Sequence, residues 1–128
     1  MATRPQATGP SQRQRRVGEA VRRALSDILM RGEAHEPDLE GLSLTVTEVR
    51  PSPDLRQATV YVMPLAGREP ERALDALTKA RGRLRGLVGR RIETRSTPEL
   101  RFVLDESFDR FDETRAMLAR EEVQRDLE

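Results

Sequence analysis

Seven basic side chains fall between Lys79 and Arg95: Lys79, Arg81, Arg83, Arg85, Arg90, Arg91 and Arg95, against the single acid Glu93. A guanidinium stays charged at any physiological pH and its planar fork matches phosphate oxygens, so such a cluster on an ordered element can grip a phosphate backbone. A solvated helix face would show the same run. Arg15, Arg16, Arg22 and Arg23 form two further adjacent pairs and offer a second basic strip.

The spacing of apolar residues supplies the elements that must hold these cations. Ala73, Leu77, Ala80, Leu84 and Leu87 keep a helical period, which places the main cluster on a helix beginning near Pro70, with Glu69 and Glu71 at its start. Gly82 lies inside that period. A mid-helix glycine costs about 1 kcal/mol relative to alanine, so it predicts a bend or a close backbone approach around Ala80-Arg81-Gly82. Gly89 predicts the end of the helix. Upstream, Val17, Val21, Ala24 and Ile28 form an apolar stripe on a helix from about Gln12 to Met30, which Gly32 can end. Arg15 and Arg22 point away from that stripe, and Arg16 and Arg23 flank it.

Leu42, Leu44, Val46 and Val49 mark a first strand whose alternation blurs near its end. Pro51 to Asp54 predicts a turn, because proline cannot donate to a strand ladder. A second strand follows from Arg56 to about Pro64, with Ala58, Val60 and Val62 on one face and Thr59 and Tyr61 on the other. Arg91 to Arg95 reads as extended, and Leu100 to Leu104 as the last strand. From Asp109 the pattern is helical and weakly amphipathic. The expected order is helix–strand–strand–kinked helix–strand with an additional C-terminal helix, an α+β domain compatible with a KH-type nucleic-acid module.

Composition narrows the function classes. Across 128 residues the net charge of +1 hides an asymmetry: residues 1–95 carry 18 basic and 12 acidic side chains, and residues 96–128 carry 5 and 10. Polyanion binding therefore falls to the body of the chain. Phe102, Phe108, Phe111 and Tyr61 are the only aromatics, too few for a binder that works mainly by stacking bases. There is no cysteine, hence neither disulfide nor thiolate chemistry. No apolar run approaches a membrane span and Met1 to Pro10 has no signal-peptide core, so the expected location is cytoplasmic, without membrane contact.

Catalytic patterns are missing from the sequence. It has no GxxxxGK[ST], no GxGxxG and no zinc-binding histidine motif, and the lone His35 has no companion ligand. Ser96, Ser107 and His35 form no recognisable nucleophile–base pattern. The acids Asp105 with Glu106, and Asp109 with Asp112, suit solubility or helix starting better than acid–base work. No enzyme, metal, cofactor or small-molecule substrate is expected. Gly86-Leu87-Val88-Gly89 spells the GXXG of many KH loops, yet Leu87 and Val88 continue the core stripe. The junction at Ala80-Arg81-Gly82 is the better candidate for an approach to nucleic acid.

Several separated segments together resemble the bacterial ribosome-binding factor A family, over roughly residues 12–108. They are Gln14-Arg15-Arg16-Val17, Glu36-Pro37-Asp38-Leu39, the hairpin from Ser52-Pro53-Asp54 to Tyr61-Val62, Ala80-Arg81-Gly82, Leu84-Arg85, Leu87-Val88-Gly89-Arg90-Arg91, and Pro98-Glu99-Leu100-Arg101-Phe102 with Asp105 and Ser107. In that family an Ala-x-Gly kink replaces the GXXG loop, and Ala80-Arg81-Gly82 is similar to it. Asp38 departs from the basic residue many members carry. The resemblance implies a single KH-like domain, type II-like, over residues 12–108; composition adds a disordered segment at 1–11, rich in Pro, Gly, Thr and Gln, and an acidic helical extension at 109–128, which follows the family least. The resemblance further implies a cytoplasmic, monomeric, non-catalytic assembly factor that binds free or immature small (30S) ribosomal subunits through 16S rRNA and assists late maturation and 5′-end processing of that rRNA. The arginine cluster and the family-like kink together make Lys79, Arg81, Gly82, Arg83, Arg85, Arg90 and Arg91 the candidate RNA contacts, with Arg15, Arg16, Arg22 and Arg23 as a second strip. The alternative is a protein-binding adaptor whose basic face meets an acidic partner.

Overall fold

The computed structural model describes residues 9–65 and 68–107. Ser11 starts the first helix, α1 (Gln12–Met30): its hydroxyl accepts the Gln14 N–H while the Gln14 side chain accepts the Ser11 N–H. This capping box satisfies two donors that a helix start leaves orphaned. At the other end Gly32 sits at φ +68°, the Glu33 N–H donates to the Ile28 carbonyl and the Gly32 N–H to that of Leu29. That is a Schellman stop, and it ends α1 where the glycine predicts. Gly18, Val21, Ala24, Leu25 and Ile28 are its buried residues.

A short 3₁₀ turn (Pro37–Leu39) leads to strand β1 (Leu44–Pro51), which pairs antiparallel with β2 (Gln57–Pro64). The register slips by one residue between Val46 and Glu48, a β-bulge at Thr47. This explains the blurred alternation: the bulge brings Val46 and Val49, three positions apart, to the same buried side. Pro51 differs from expectation. It ends β1 opposite Ala58 instead of opening the turn, which an edge strand tolerates because the missing N–H faces away from the ladder. The turn itself is held by Ser52 and Asp54, whose carboxylate accepts the Ser52 hydroxyl and the Arg56 N–H.

The expected kinked helix is two helices, α2 (Pro70–Lys79) and α3 (Arg81–Arg91), with Ala80 between them. Strand β3 (Glu99–Leu104) then runs parallel to β2, giving sheet order β1-β2-β3. Helix α1 packs on β1, α3 on α1 and β3, and α2 on β3, so β1 and β3 are the two edges of an open sheet. Val21, Leu25 and Ile28 of α1 meet Val60 and Val62 of β2 and Leu84 and Val88 of α3 in one core. Burying each such side chain contributes about 1.5–3 kcal/mol. The expected helix at 109–128 and most of the expected N-terminal segment lie outside the described residues.

Candidate nucleic-acid interface

Ala80 turns the chain. At φ −88° and ψ 0° its N–H closes α2 on the Ala76 carbonyl, 3.0 Å, and its own carbonyl accepts the Leu84 N–H at 2.8 Å to open α3. The bend thus lies at buried Ala80, two residues before Gly82. Gly82 sits in the first turn of α3, exposed, and a Cβ there would meet nothing within 4 Å. No side chain caps α3, so the leading N–H groups that a helix start leaves without intrahelical partners lie beside a residue with no side chain.

Helix α3 is intrinsically weak, since Gly82, Gly86 and Gly89 each cost about 1 kcal/mol relative to alanine. Burial of Leu84 and Val88 and a set of arginine tethers hold it. The Gly86-Leu87-Val88-Gly89 stretch lies wholly within it and forms no loop. Gly89 does not end the helix, which runs to Arg91. It allows a close approach instead, because a Cβ at Gly89 would stand 2.7 Å from Thr97 Oγ1.

The arginines separate by what they touch. Arg91 pairs with Asp27 of α1 and with Glu33; Arg83 donates to the carbonyls of Ala34 (2.9 Å) and His35 (3.0 Å). Lys79 lies 3.8 Å from Asp38. These three brace the segment joining α1 to β1, and the hydrogen bonds that Arg91 donates to Glu33 and Asp27 raise its pKa. Arg85 donates Nε and Nη2 to the Thr97 carbonyl, at 3.0 and 2.8 Å, and so fixes the loop before β3. Arg81 and Arg90 make no ion pair or side-chain hydrogen bond with another described residue.

Arg81 and Arg85, one turn apart, share a cleft of about 240 Å³ with Gly82, Glu99 and Leu100 at the β3 edge. A second cleft joins Arg85 to Arg56, Gln57, Ser96, Thr97 and Glu99. Arg90 and Arg83, seven positions apart, share another side of α3.

The α1 strip is likewise divided. Arg15 and Arg22 line a groove with Arg50 along the opposite, β1 edge, whereas Arg16 and Arg23 share a helix face with Asp27, the partner of Arg91. Arg22 and Arg23 both hold Glu19, and the hydrogen bond from Arg22 is the main cause of its carboxyl falling to about 2. Arg15 and Arg16 have no such partner among the described residues. Sequence reasoning did not single out Arg56, which folding brings to the cleft of Arg85, or Arg101, on the exposed side of β3. The basic turn residue before β2 and the outward position on β3 were the available signals.

Among the described residues no group of three or more His, Cys, Asp or Glu is placed to hold a metal, and no helix is long and apolar enough to cross a membrane. His35 is exposed and serves Arg83 through its backbone carbonyl.

The model of the family described as ribosome-binding factor A matches residues 13–118. The chain belongs to that family. Among its curated relatives, ribosome-binding factor A of Paracoccus denitrificans is 56% identical over 121 residues, covering 94% of this chain and 88% of the relative, and that of Ruegeria pomeroyi is 53% identical over 120 residues, covering 94% and 92%. The crystal structure of ribosome-binding factor A from Thermus thermophilus superposes with a TM-score of 0.63 at 34% identity, over 73% of this chain and 97% of that one. A homology model of ribosome-binding factor A from Thermus thermophilus, fitted into a cryo-EM map of its 30S complex, gives a TM-score of 0.56 at 34% identity, over 70% of this chain and 91% of that one. The α+β order, the open sheet and the paired helices are those of the family fold.

Proposed function

We propose that this chain is a ribosome-assembly factor that binds free or immature small (30S) ribosomal subunits through 16S rRNA, and that the start of α3 is the contact. Phosphate oxygens would meet Arg81, Arg85 and the uncapped N–H groups around Gly82, with Arg56 on the far rim of the cleft. The carrying observation is the combination at one place of an uncapped helix start, an exposed glycine facing open space and an arginine with no partner among the described residues. Contacts of this kind position a protein without reading sequence, so folded rRNA would supply specificity through its shape. The αββααβ order supports a KH-like, type II-like assignment in which the α2–α3 junction replaces a GXXG loop.

As a member of this family the chain is not an enzyme. Its part in late maturation and 5′-end processing of 16S rRNA is to hold a subunit conformation on which others act, as a cytoplasmic monomer. Lys79, Arg83 and Arg91 belong to the scaffold in this account, and Arg15, Arg16, Arg22 and Arg23 lie outside the α3 contact.

Co-sedimentation with purified small subunits across a salt series, with large subunits as control, tests it. Saturable binding to small subunits is expected, and Arg81→Ala should reduce the slope of log affinity against log salt by about 0.7–0.9, one phosphate's worth. Equal binding to both subunits, or an unchanged slope in Arg81→Ala and in Arg81→Ala with Arg85→Ala, would refute it. Binding to an acidic protein partner with no subunit affinity would favour the adaptor.

A further inference from the structure

The open face of the sheet carries a group of residues that the α3 contact does not use. All described helices pack on the other side, leaving Thr59 and Tyr61 of β2 to face outward with Arg50 of β1 and Arg101 of β3. The Arg50 guanidinium lies over the Tyr61 ring, 5.1 Å from its centroid, and the Arg50 side chain is 63% exposed. Arg50 and Arg101 flank Thr59 in one row of the sheet, two strand spacings or about 9.6 Å apart across the strands. Arg101 has no ion pair with a described residue.

Three acids accompany these residues: Glu48 stands opposite Tyr61 in the register, Glu99 two positions before Arg101 on β3, and Asp105 just beyond the strand. Glu48 is taken by Arg50 Nε at 2.8 Å, Asp105 accepts from Thr47 and Ser107, and Glu99 lies at the β3 end, in the clefts of Arg81, Arg85 and Arg56. Arg50 also lines the groove of Arg15 and Arg22 at the β1 edge. The face therefore lies between the two basic edges, and Arg101 is its cation without an ion pair among the described residues.

We propose that this face is a second RNA-contacting surface: a single-stranded segment crosses it from the β3 edge, one base resting on the Arg50–Tyr61 stack and its phosphates on Arg101 and Arg56. The proposal rests on the α3 contact described above and extends its path around the β3 edge. Bases stack on aromatic rings and on guanidinium planes without regard to sequence, and phosphates supply the countercharge that Arg101 lacks among the described residues. A cross-strand pair that only stabilised the sheet would leave RNA binding unaffected by its removal.

Tyr61 is the chain's one tyrosine and there is no tryptophan, so the intrinsic emission reports on this face alone. Titration of the full chain at low salt with a short labelled single-stranded oligoadenylate should quench that emission in step with the rise in anisotropy. Tyr61→Val should weaken oligonucleotide binding about tenfold, while Tyr61→Phe binds as the parent does. Arg101→Ala, an exposed change with little bearing on folding, should lower the salt slope by about 0.7. Binding with unquenched emission and parental affinity in Tyr61→Val and Arg101→Ala would overturn the sheet-face site and leave α3 standing. Failure to bind the oligonucleotide while small subunits still co-sediment would do the same. Loss of both interactions would overturn the α3 contact along with it.

Discussion

Three helical glycines should respond to alanine in opposite directions, and the structure sets the sign of each. At Gly18 an added Cβ would stand 2.6 Å from the Val49 carbonyl oxygen and 3.0 Å from Pro51 Cδ. Both obstacles belong to the β1 edge strand, one of them backbone, and neither can swing aside. Restoring an ordinary carbon–oxygen separation of about 3.3 Å moves α1 outward by about 0.7 Å and loosens Val21 and Leu25, which are fully buried against the sheet. Overpacking of this kind costs about 1–3 kcal/mol and outweighs the helix preference for alanine of about 1 kcal/mol.

Gly82 and Gly86 face open space, so alanine there should stabilise α3 by up to about 1 kcal/mol each. In thermal unfolding followed by circular dichroism, 1 kcal/mol shifts the midpoint by about 4–8 °C in a domain of this size. Gly18→Ala should therefore melt lower, and Gly82→Ala and Gly86→Ala slightly higher. The same proteins then enter the subunit-binding assay. Gly82→Ala should bind more weakly despite its added stability, because the methyl group holds phosphate off the helix start, while Gly86→Ala binds as the parent. A Gly18→Ala midpoint equal to the parent's would refute the close packing of α1 on β1, and unimpaired binding by Gly82→Ala would refute backbone approach at α3.

Other substitutions probe single features. Glu99 places a negative charge between Arg81, Arg85 and Arg56, so Glu99→Gln should tighten subunit binding about two- to fivefold at low salt, with the difference closing as salt screens it; equal affinities at low salt would place the rRNA elsewhere. Arg91→Ala breaks the link to Asp27 and Glu33, and should lower the unfolding midpoint while the salt slope of subunit binding stays that of the parent; a shallower slope would return Arg91 to the interface. The Ser107 and Thr47 hydroxyls hold the Asp105 carboxyl below its usual range. Its contribution to stability is complete above the ordinary aspartate value near pH ~4 and is lost as pH falls through the lower folded value. Urea midpoints against pH should accordingly show a flatter acid limb in Thr47→Val, and a limb identical to the parent's would remove that hydrogen bond from the account.

Local rules made much of this protein legible. The period of Val17, Val21, Ala24 and Ile28 sets α1, Ser11 with Gln14 starts it and Gly32 stops it, all through contacts within one or two turns. The alternation of Ala58, Val60 and Val62 likewise marks β2. Family membership was legible too, because its signals are short motifs in a fixed order. What sequence could not divide was the arginine cluster. Lys79, Arg83 and Arg91 read like Arg81, yet packing of α3 beside α1 brings Arg91 to Asp27, 64 positions away, and to Glu33, 58 away, and turns Arg83 onto the carbonyls of Ala34 and His35. A cation's availability depends on the acids and carbonyls that folding brings to it, and these lie far off along the chain. The sheet order made the second decision, setting Arg15 and Arg22 along the β1 edge and Arg81 and Arg85 along the β3 edge, with Arg50, Tyr61 and Arg101 on the open face between. Sequence alone determined that this chain carries a basic helix on an α+β frame; the tertiary structure decided which of its charges are spent on the frame and which have no partner among the described residues.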